Sequence, residues 1–480
     1  MKQLRTLIYL AAGVLLSLLW VACYKDKGNY SYNMPGEPDI TQMDSVYSVF
    51  VGDSLIIEPT IKMDGNPALS YEWRIAVPDP TMTDVVDSGS SMRVIFGLGA
   101  QRYTAKLTIH NQSNGMKYFR DFIVEGKTAF SSGTTVLTQE GDQAQLSFIK
   151  PDGAVQARLF GAVNPGKPLP SGPTQLVAVP EARMPGTVKT YWVFGKDGSN
   201  TGIQVDANTF RMKQDLAALY FDAPETIRPS RMFASPMGVL TGVVNGRLQN
   251  GTTSTWDQAP TYGMFGLGAA GDYDLSPELV FNYLGVFGPG NYIGFDKLKK
   301  QFVRFNLYGD AIFFGTAYAV TGSAFDPMHV GADLEKMLQV NGGLCYAYMR
   351  EGGVLQELKF NTQFNGPFEF NPIHKRAFKQ PELVKANSIW ATTPNEIIYF
   401  TSGNSIYRYN PANEEFRELN TRIEGDEITM MKILPDNNTL VAGTQGSIYY
   451  LNISTGSFGD LLKKIDGLPG KVIDMAERNQ

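Results

Sequence analysis

One pattern, present twice near the end of the chain, constrains the fold more than any other feature. Ser405-Ile406-Tyr407-Arg408-Tyr409-Asn410, with Phe416 six residues after the Asn, recurs 42 residues later as Ser447-Ile448-Tyr449-Tyr450-Leu451-Asn452 with Phe458. Each copy reads as a strand, a polar turn at the Asn, and a second strand entered at the Phe. More strand precedes each copy, at 395–400 before the first and at 430–434 and 439–442 before the second. Four short strands in roughly 40 to 50 residues make the blade of a β-propeller.

Weaker copies extend the pattern upstream. Ile293-Gly294-Phe295-Asp296 keeps the six-residue spacing to Phe302, and Ile203-Gln204-Val205-Asp206 shortens it to Phe210. Leu358-Lys359-Phe360-Asn361, Val243-Val244-Asn245-Gly246 and Leu146-Ser147-Phe148-Ile149 before Pro151-Asp152-Gly153 complete a set of seven. Seven blades are therefore expected over residues 127–480. A count of six or eight fits the same pattern, and the competing architecture is a pair of further β-sandwiches. Gly 49, Pro 27, Tyr 23 and Phe 28 suit short strands joined by tight turns. Only the stretch from Asp333, a candidate N-cap, to Val340 reads as helix.

The other end of the chain speaks of location. Lys2 and Arg5 precede an apolar run from Leu7 to Leu19 that closes on Val21-Ala22-Cys23. This is the layout of a secretory signal, and the run is short for a membrane span. A cysteine directly after Ala22 stands at the acceptor position of a lipoprotein signal, so residues 1–22 are expected to be removed and Cys23 to carry the lipid. Trp20 departs from the aliphatic residue preferred three places before that cysteine. An ordinary signal peptide or an uncleaved anchor is the alternative. Residues 23–36 are polar and poor in aliphatic side chains, a solvated tether.

That tether carries a resemblance. Cys23-x-x-Asp26-Lys27-Gly28-Asn29-Tyr30-x-Tyr32, followed by an immunoglobulin-like segment, resembles the PKD-like family of Bacteroidota lipoproteins; Lys25 stands where that family more often has an acid. The resemblance implies an outer-membrane, surface-exposed protein that accompanies a TonB-dependent transporter and its lid lipoprotein in nutrient uptake.

Residues 37–126 read as a β-sandwich of the immunoglobulin/PKD type. Val49, Val51 and Leu55 flank a turn at Gly52-Asp53, and Tyr71, Trp73 and Ile75 share one side of a strand. A tryptophan in such a strand fills the centre between two sheets. Tyr103, Ala105, Leu107 and Ile109 face inward, which puts His110 on the solvent side, and Asn114-Gly115 turns the chain into the next strand. The domain reads as a spacer.

Charge and cysteine usage exclude several functions. Lys and Arg number 42 against 47 Asp and Glu, and loss of Lys2 and Arg5 with the leader moves the formal charge from −5 to −7. This argues against nucleic acid and against polybasic attraction to lipid headgroups. Of two cysteines, Cys345 is left without an intrachain partner once Cys23 is acylated, so folding relies on burial.

Motifs of chemistry are sparse. Gly266-Leu267-Gly268-Ala269-Ala270-Gly271 has dinucleotide-fingerprint spacing, yet Asp272-Tyr273-Asp274 and Pro277 follow where a helix should, and the stretch reads as a glycine-rich loop. No cofactor is expected. His110, His329 and His374 are too scattered for a metal site, and there is no Gly-x-Ser-x-Gly elbow. Asp272 and Asp274 read as an exposed turn, with a shared calcium ion as the alternative; Lys297, Lys299 and Lys300 read as another, with an anion site as the alternative. The candidate ligand-binding residues are Trp256 and Tyr262, in an aromatic, glycine-rich stretch that continues through Phe265, Tyr273 and Tyr283 to Tyr292, because exposed rings stack on sugar faces or pack on peptide side chains.

The expectation is therefore an all-β, non-catalytic, lipid-anchored protein that binds glycan, peptide or a partner. Its alternatives are a propeller-type glycan lyase or hydrolase with acids at the channel mouth, and a scaffold without a small ligand.

Overall fold

The structure is a computed structural model, and it describes residues 36–77, 83–182, 186–197, 200–253, 261–282, 290–308, 310–363, 368–423, 425 and 427–479. The leader, Cys23, Trp256 and Tyr283 lie outside the described residues. The chain is all-β and forms two compact units, one of residues up to 96 with 102–125, the other of residues 97–101 with 126 onward.

The first unit is a PKD-like sandwich. Its larger sheet runs in the order Val46–Phe50, Lys117–Lys127, Arg102–Asn111, Leu69–Ile75, Val85–Ser88. Two pairs complete it, Asp39–Thr41 with Thr60–Lys62 and Ser54–Ile57 with Met92–Ile95. Trp73 is fully buried with Ile75, Leu107 and Val124. Its ring meets Phe122 edge-on at 5.9 Å, and its Nε1 donates to the Gly89 carbonyl at 2.9 Å, so the polar end of the indole is satisfied. Val51 falls in the turn itself and is exposed, because Gly52 reverses the chain there at φ +96°.

Among the described residues the second unit is a ring of seven blades, three of them joined in one continuous sheet. Blade 2 consists of Ser171–Val179, Thr190–Asp197, Gly202–Asp206 and Met212–Asp215; blade 3 has three described strands, Pro229–Ala234, Leu240–Val244 and Arg247–Asn250. Blade 4 is Leu275–Asn282, Gly290–Asp296, Gln301–Tyr308 and Asp310–Gly315; blade 5 is Asp333–Asn341, Leu344–Glu351, Val354–Gln363 and Glu369–Ala377. Blade 6 is Trp390–Thr392, Ile398–Ser402, Ser405–Asn410 and Glu415–Glu418. Blade 7 is Met430–Ile433, Thr439–Gly443, Gln445–Asn452 and the first part of Asp460–Asn479.

Closure uses the two ends of the unit. The second part of Asp460–Asn479 leaves blade 7 and pairs with Ser132–Glu140, from Lys471 opposite Gln139 to Asn479 opposite Ser132. It thereby becomes the inner strand of blade 1, whose other strands are Ser132–Glu140, Gln143–Ile149 and Val155–Gln156. Residues 471–479 lie against the inner strands of both blade 2 and blade 7, so the circle of inner strands is complete. Closure of this kind removes the edges an open array would expose.

Alternation of side chains across each strand gives both faces of a blade to its neighbours. Tyr191 and Val193 pack toward blade 1, while Trp192 and Phe194 pack toward blade 3. Seven such clusters fill the seven gaps among the described residues. Double-sided burial explains why these strands read as nearly continuous apolar runs.

The repeat has a local cause. The side-chain oxygens of Asp206, Asp296, Asn410 and Asn452 accept the N–H two residues on, from Asn208, Leu298, Ala412 and Ser454. Four residues after each Asx the chain turns left-handed, at Phe210, Lys300, Glu414 and Gly456, before the next strand begins. The repeated serine is also explained, since Ser405 and Ser447 donate across to Glu418 and Asp466 on the following strand.

The helix expected at Asp333–Val340 is a strand. Met337 packs toward blade 4 whereas Leu338 and Val340 pack toward blade 6, a division onto opposite faces that a strand makes and a helix does not. Pairing with Leu344–Glu351 overrides the helix propensity of Leu334, Glu335, Lys336 and Met337.

Candidate ligand-binding face and the channel charges

At one face of the ring the links between blades meet the turns between second and third strands. On blade 3 that turn is Asn245-Gly246, both left-handed at φ +52° and +70°. The Asn245 side chain fixes the incoming link: its Oδ1 accepts the Arg228 N–H at 2.8 Å and its Nδ2 donates to the Thr226 carbonyl at 2.7 Å. A Cβ at Gly246 would stand 2.3 Å from Asp274 Oδ1, so the turn has no room for a side chain.

This link borders two adjoining hollows of about 490 and 410 Å³ that share Thr226 and Arg228. The first is completed by Ser230, Asn245 and Gly246, and the second includes Lys196, Asn200, Asp215 and Glu225. Hydroxyl, amide and charged groups dominate, which suits a ligand rich in hydroxyls better than an apolar one. The Arg228 guanidinium makes no hydrogen bond or ion pair among the described residues.

Deeper in, the inner strands manage their own unpaired edges with side chains. Gln175 of blade 2 accepts the Met232 N–H at 3.0 Å and donates to the Met232 carbonyl at 2.7 Å. Gln339 of blade 5 grips Phe281 of blade 4 in the same way, at 3.3 and 2.8 Å. Asp474 accepts the Leu176 N–H at 2.8 Å, and Lys432 donates to the Met475 carbonyl at 2.7 Å while pairing with Asp474. Three further charges sit on the inner strands of blades 3, 4 and 5. Glu278 receives Arg231 at 3.2 Å through one oxygen and Lys336 at 2.7 Å through the other. Burial pushes the Lys336 ammonium below its usual range; Glu278 opposes this and Arg231 adds to it.

Blades 5 and 6 enclose a second polar network. Glu357, fully buried, accepts from Arg376 Nε at 2.9 Å, His374 Nε2 at 3.0 Å and Tyr348 at 3.1 Å. Arg376 also donates to Tyr409 at 3.0 Å and to the Pro411 carbonyl at 2.6 Å. Beside it, Glu396 accepts from Tyr346 at 2.7 Å and from Lys359. Burial works against ionisation of Glu396, but these two bonds hold its carboxyl below its usual range. The bonds to Glu357 lie within blade 5, whereas those of Arg376 to Tyr409 and Pro411 and those of Tyr346 and Lys359 to Glu396 join blade 5 to blade 6.

The residues singled out from the sequence are dispersed. Tyr262 is half-buried and donates to the Met237 carbonyl, in the turn between the first and second strands of blade 3. That turn is at the end of the blade opposite to Asn245-Gly246, so the structure does not bring Tyr262 to the hollows. Phe265, Tyr273 and Tyr292 are buried between blades. Asp272 is taken by Lys299 at 2.8 Å, Asp274 by Lys297 at 3.1 Å, and Lys300 by Asp333 at 3.0 Å, so the acids and lysines that were candidates for calcium and anion sites answer one another. The Gly266–Gly271 stretch has no helix after it; Leu267 is exposed and Ala269 is buried. No cluster of His, Cys, Asp and Glu suited to a metal is present among the described residues. Arg231, Glu278 and Lys336 were missed, since nothing in their local sequence shows that the ring brings their three strands side by side.

The fold and this face define a two-part, all-β protein, a PKD-like sandwich and a seven-bladed propeller. Residues 23–173 match the model of the PKD-like family. No curated protein matches the chain. Among solved structures the chain is similar to a quinonprotein alcohol dehydrogenase-like protein of Bacteroides thetaiotaomicron, at 12% identity and TM-score 0.41, over 92% of this chain and 99% of that one. It is also similar to a protein of Desulfotomaculum acetoxidans, at 11% identity and TM-score 0.42, over 72% and 99%. A third is an auxiliary nutrient binding protein of Bacteroides thetaiotaomicron, at 9% identity and TM-score 0.26, over 85% and 95%. None of these likenesses carries an argument about ligand or activity. No helix among the described residues is long and apolar enough to cross a membrane.

Proposed function

We propose that the protein is a non-catalytic, lipid-anchored binding protein of the outer membrane, displayed at the cell surface beside a TonB-dependent transporter and its lid lipoprotein. The observation that carries this reading is the junction at Cys23: a signal-like leader ends there, and the match to the PKD-like family begins at the same residue. The polar hollows at Thr226, Arg228 and Asn245 supply a place for ligand. The work is capture and hand-over, in which tethering beside the transporter raises effective concentration more than tight binding does.

Gentle detergent extraction of the acylated protein from its native membrane tests this. Co-purification of a TonB-dependent transporter and its lid is expected. Recovery of the protein alone, from acylated and surface-accessible material, would overturn the accessory role, and product release from glycan or peptide pools would replace capture with catalysis.

A further inference from the structure

Arg231, Glu278 and Lys336 form an unbalanced triad, two cations sharing one carboxylate. Their side chains are 42%, 15% and 18% exposed, so they are partly withdrawn from water while still reachable. One positive charge is left uncompensated, with Glu278 and Lys336 largely shielded from solvent and Arg231 open to it. The other inner-strand charges are used differently, since Lys432 and Asp474 balance each other and also cap backbone edges.

Position links the triad to the face described above. Inner strands run inward from that face, and Arg231 is the third residue of Pro229–Ala234, while Glu278 and Lys336 are the fourth residues of Leu275–Asn282 and Asp333–Asn341. At about 3.3 Å per residue these side chains lie roughly 7 to 10 Å along their strands from that face. Ser230, in the wall of the hollow, directly precedes Arg231, and Arg228 stands two residues before Ser230. An extended ligand that reached from the hollow to the triad would pass Arg228, whose guanidinium has no partner among the described residues, before meeting the two cations that share Glu278.

We propose that the triad is the carboxylate-binding subsite of this protein and that its ligand is an acidic glycan, with a uronate carboxylate bridging Arg231 and Lys336. The proposal rests on the binding reading above and narrows it. A glycan is favoured over an acidic peptide because the neighbouring walls present hydroxyls and amides from Thr226, Ser230, Asn245 and Asn200. Glu278 holds the two cations in place until the ligand's carboxylate joins them.

Titration calorimetry of the full chain with tri-galacturonate and with its fully methyl-esterified counterpart tests this, because esterification removes the carboxylate charge and leaves the sugar rings and their hydroxyls in place. The free acid is expected to bind saturably and at least tenfold more tightly than the ester, with affinity falling as salt rises. Arg231→Gln and Lys336→Met each weaken the acid tenfold or more and leave the ester unchanged. Glu278→Gln is the discriminating variant: it lowers thermal stability yet tightens the acid several-fold, because a competing carboxylate is gone. A triad that only joins blades would lose stability in Glu278→Gln with no gain in affinity, and that result overturns the proposal. Equal binding of acid and ester, or tighter binding of a tri-glutamate peptide, overturns the acidic-glycan subsite but leaves a binding protein. Failure of both trisaccharides and of neutral glycan pools overturns both readings.

Discussion

The sandwich gathers its apolar mass around Trp73, whereas the ring spreads it over seven gaps with no single centre. Two facing layers can lose an edge strand and still cover their middle. A ring cannot, because each blade has both faces buried by neighbours. Its weak point is therefore the joint between residues 132–139 and 471–479, where the first and last parts of the unit share one sheet. Arg478 reinforces that joint, fully buried and donating to the carbonyls of Phe130 at 3.1 Å and Ala207 at 2.6 Å.

The largest expected effect comes from removing residues 471–480. Blade 1 loses its inner strand, and the gaps toward blades 2 and 7 open together. Calorimetry should then show the transition of the sandwich without a cooperative transition of the ring. Cys345 reports the same event, since it is fully buried and burial holds its thiol well above the usual range. Thiolate is the reactive form, so alkylation should be negligible in the intact chain and rapid in the truncated one. A truncated protein that melts cooperatively with Cys345 protected would show that end-to-end pairing is not what holds the ring.

Next come the two tryptophans. Trp73→Ala and Trp192→Ala each empty a fully buried site and should cost about 3–5 kcal/mol. Each should move only the transition of its own unit. If Trp192→Ala shifts both transitions equally, the two units do not unfold independently.

Smaller still is Glu357→Gln, which leaves Arg376 and His374 facing a neutral amide in a buried setting. A loss of about 3 kcal/mol is expected from the ring transition, with the sandwich unaffected. An unchanged ring midpoint would show that Tyr409 and the Pro411 carbonyl suffice for Arg376.

The smallest effect sharpens the repeat itself. Glu414 is left-handed at φ +56°, at the position where blade 7 has Gly456. Glu414→Gly should stabilise the ring by about 0.5–1 kcal/mol, because glycine adopts that conformation without strain. Its ion pair with Arg376, at 3.9 Å, is weak enough not to reverse the sign. A lower midpoint would mean that this pair matters more than the backbone.

Much of the fold was legible in the residues. The Asx-turn-strand signature works through contacts two to six residues apart at Asp206, Asp296, Asn410 and Asn452, which is why it surfaced in the sequence; its seven copies marked the third strand of five blades and the second strand of blades 3 and 4. The alternation around Trp73 and Ile109 was equally local. The segment 333–340 misled because its composition favours helix while its partners lie on blades 4 and 6. The binding residues were the least legible: Tyr262 drew notice as a ring in an aromatic, glycine-rich stretch, yet its hydroxyl is spent on Met237, and Trp256 lies outside the described residues.

The sequence by itself determined the all-β class, the turn that repeats, and the signal-like junction at Cys23, because each depends on neighbours along the chain. Only the tertiary structure decided that Lys471 to Asn479 closes the circle on Ser132 to Gln139, more than 300 residues away. It alone also set Arg231 and Lys336 around the Glu278 carboxylate. Charges on three separate strands acquire a common field only when closure fixes those strands within a few ångströms of one another.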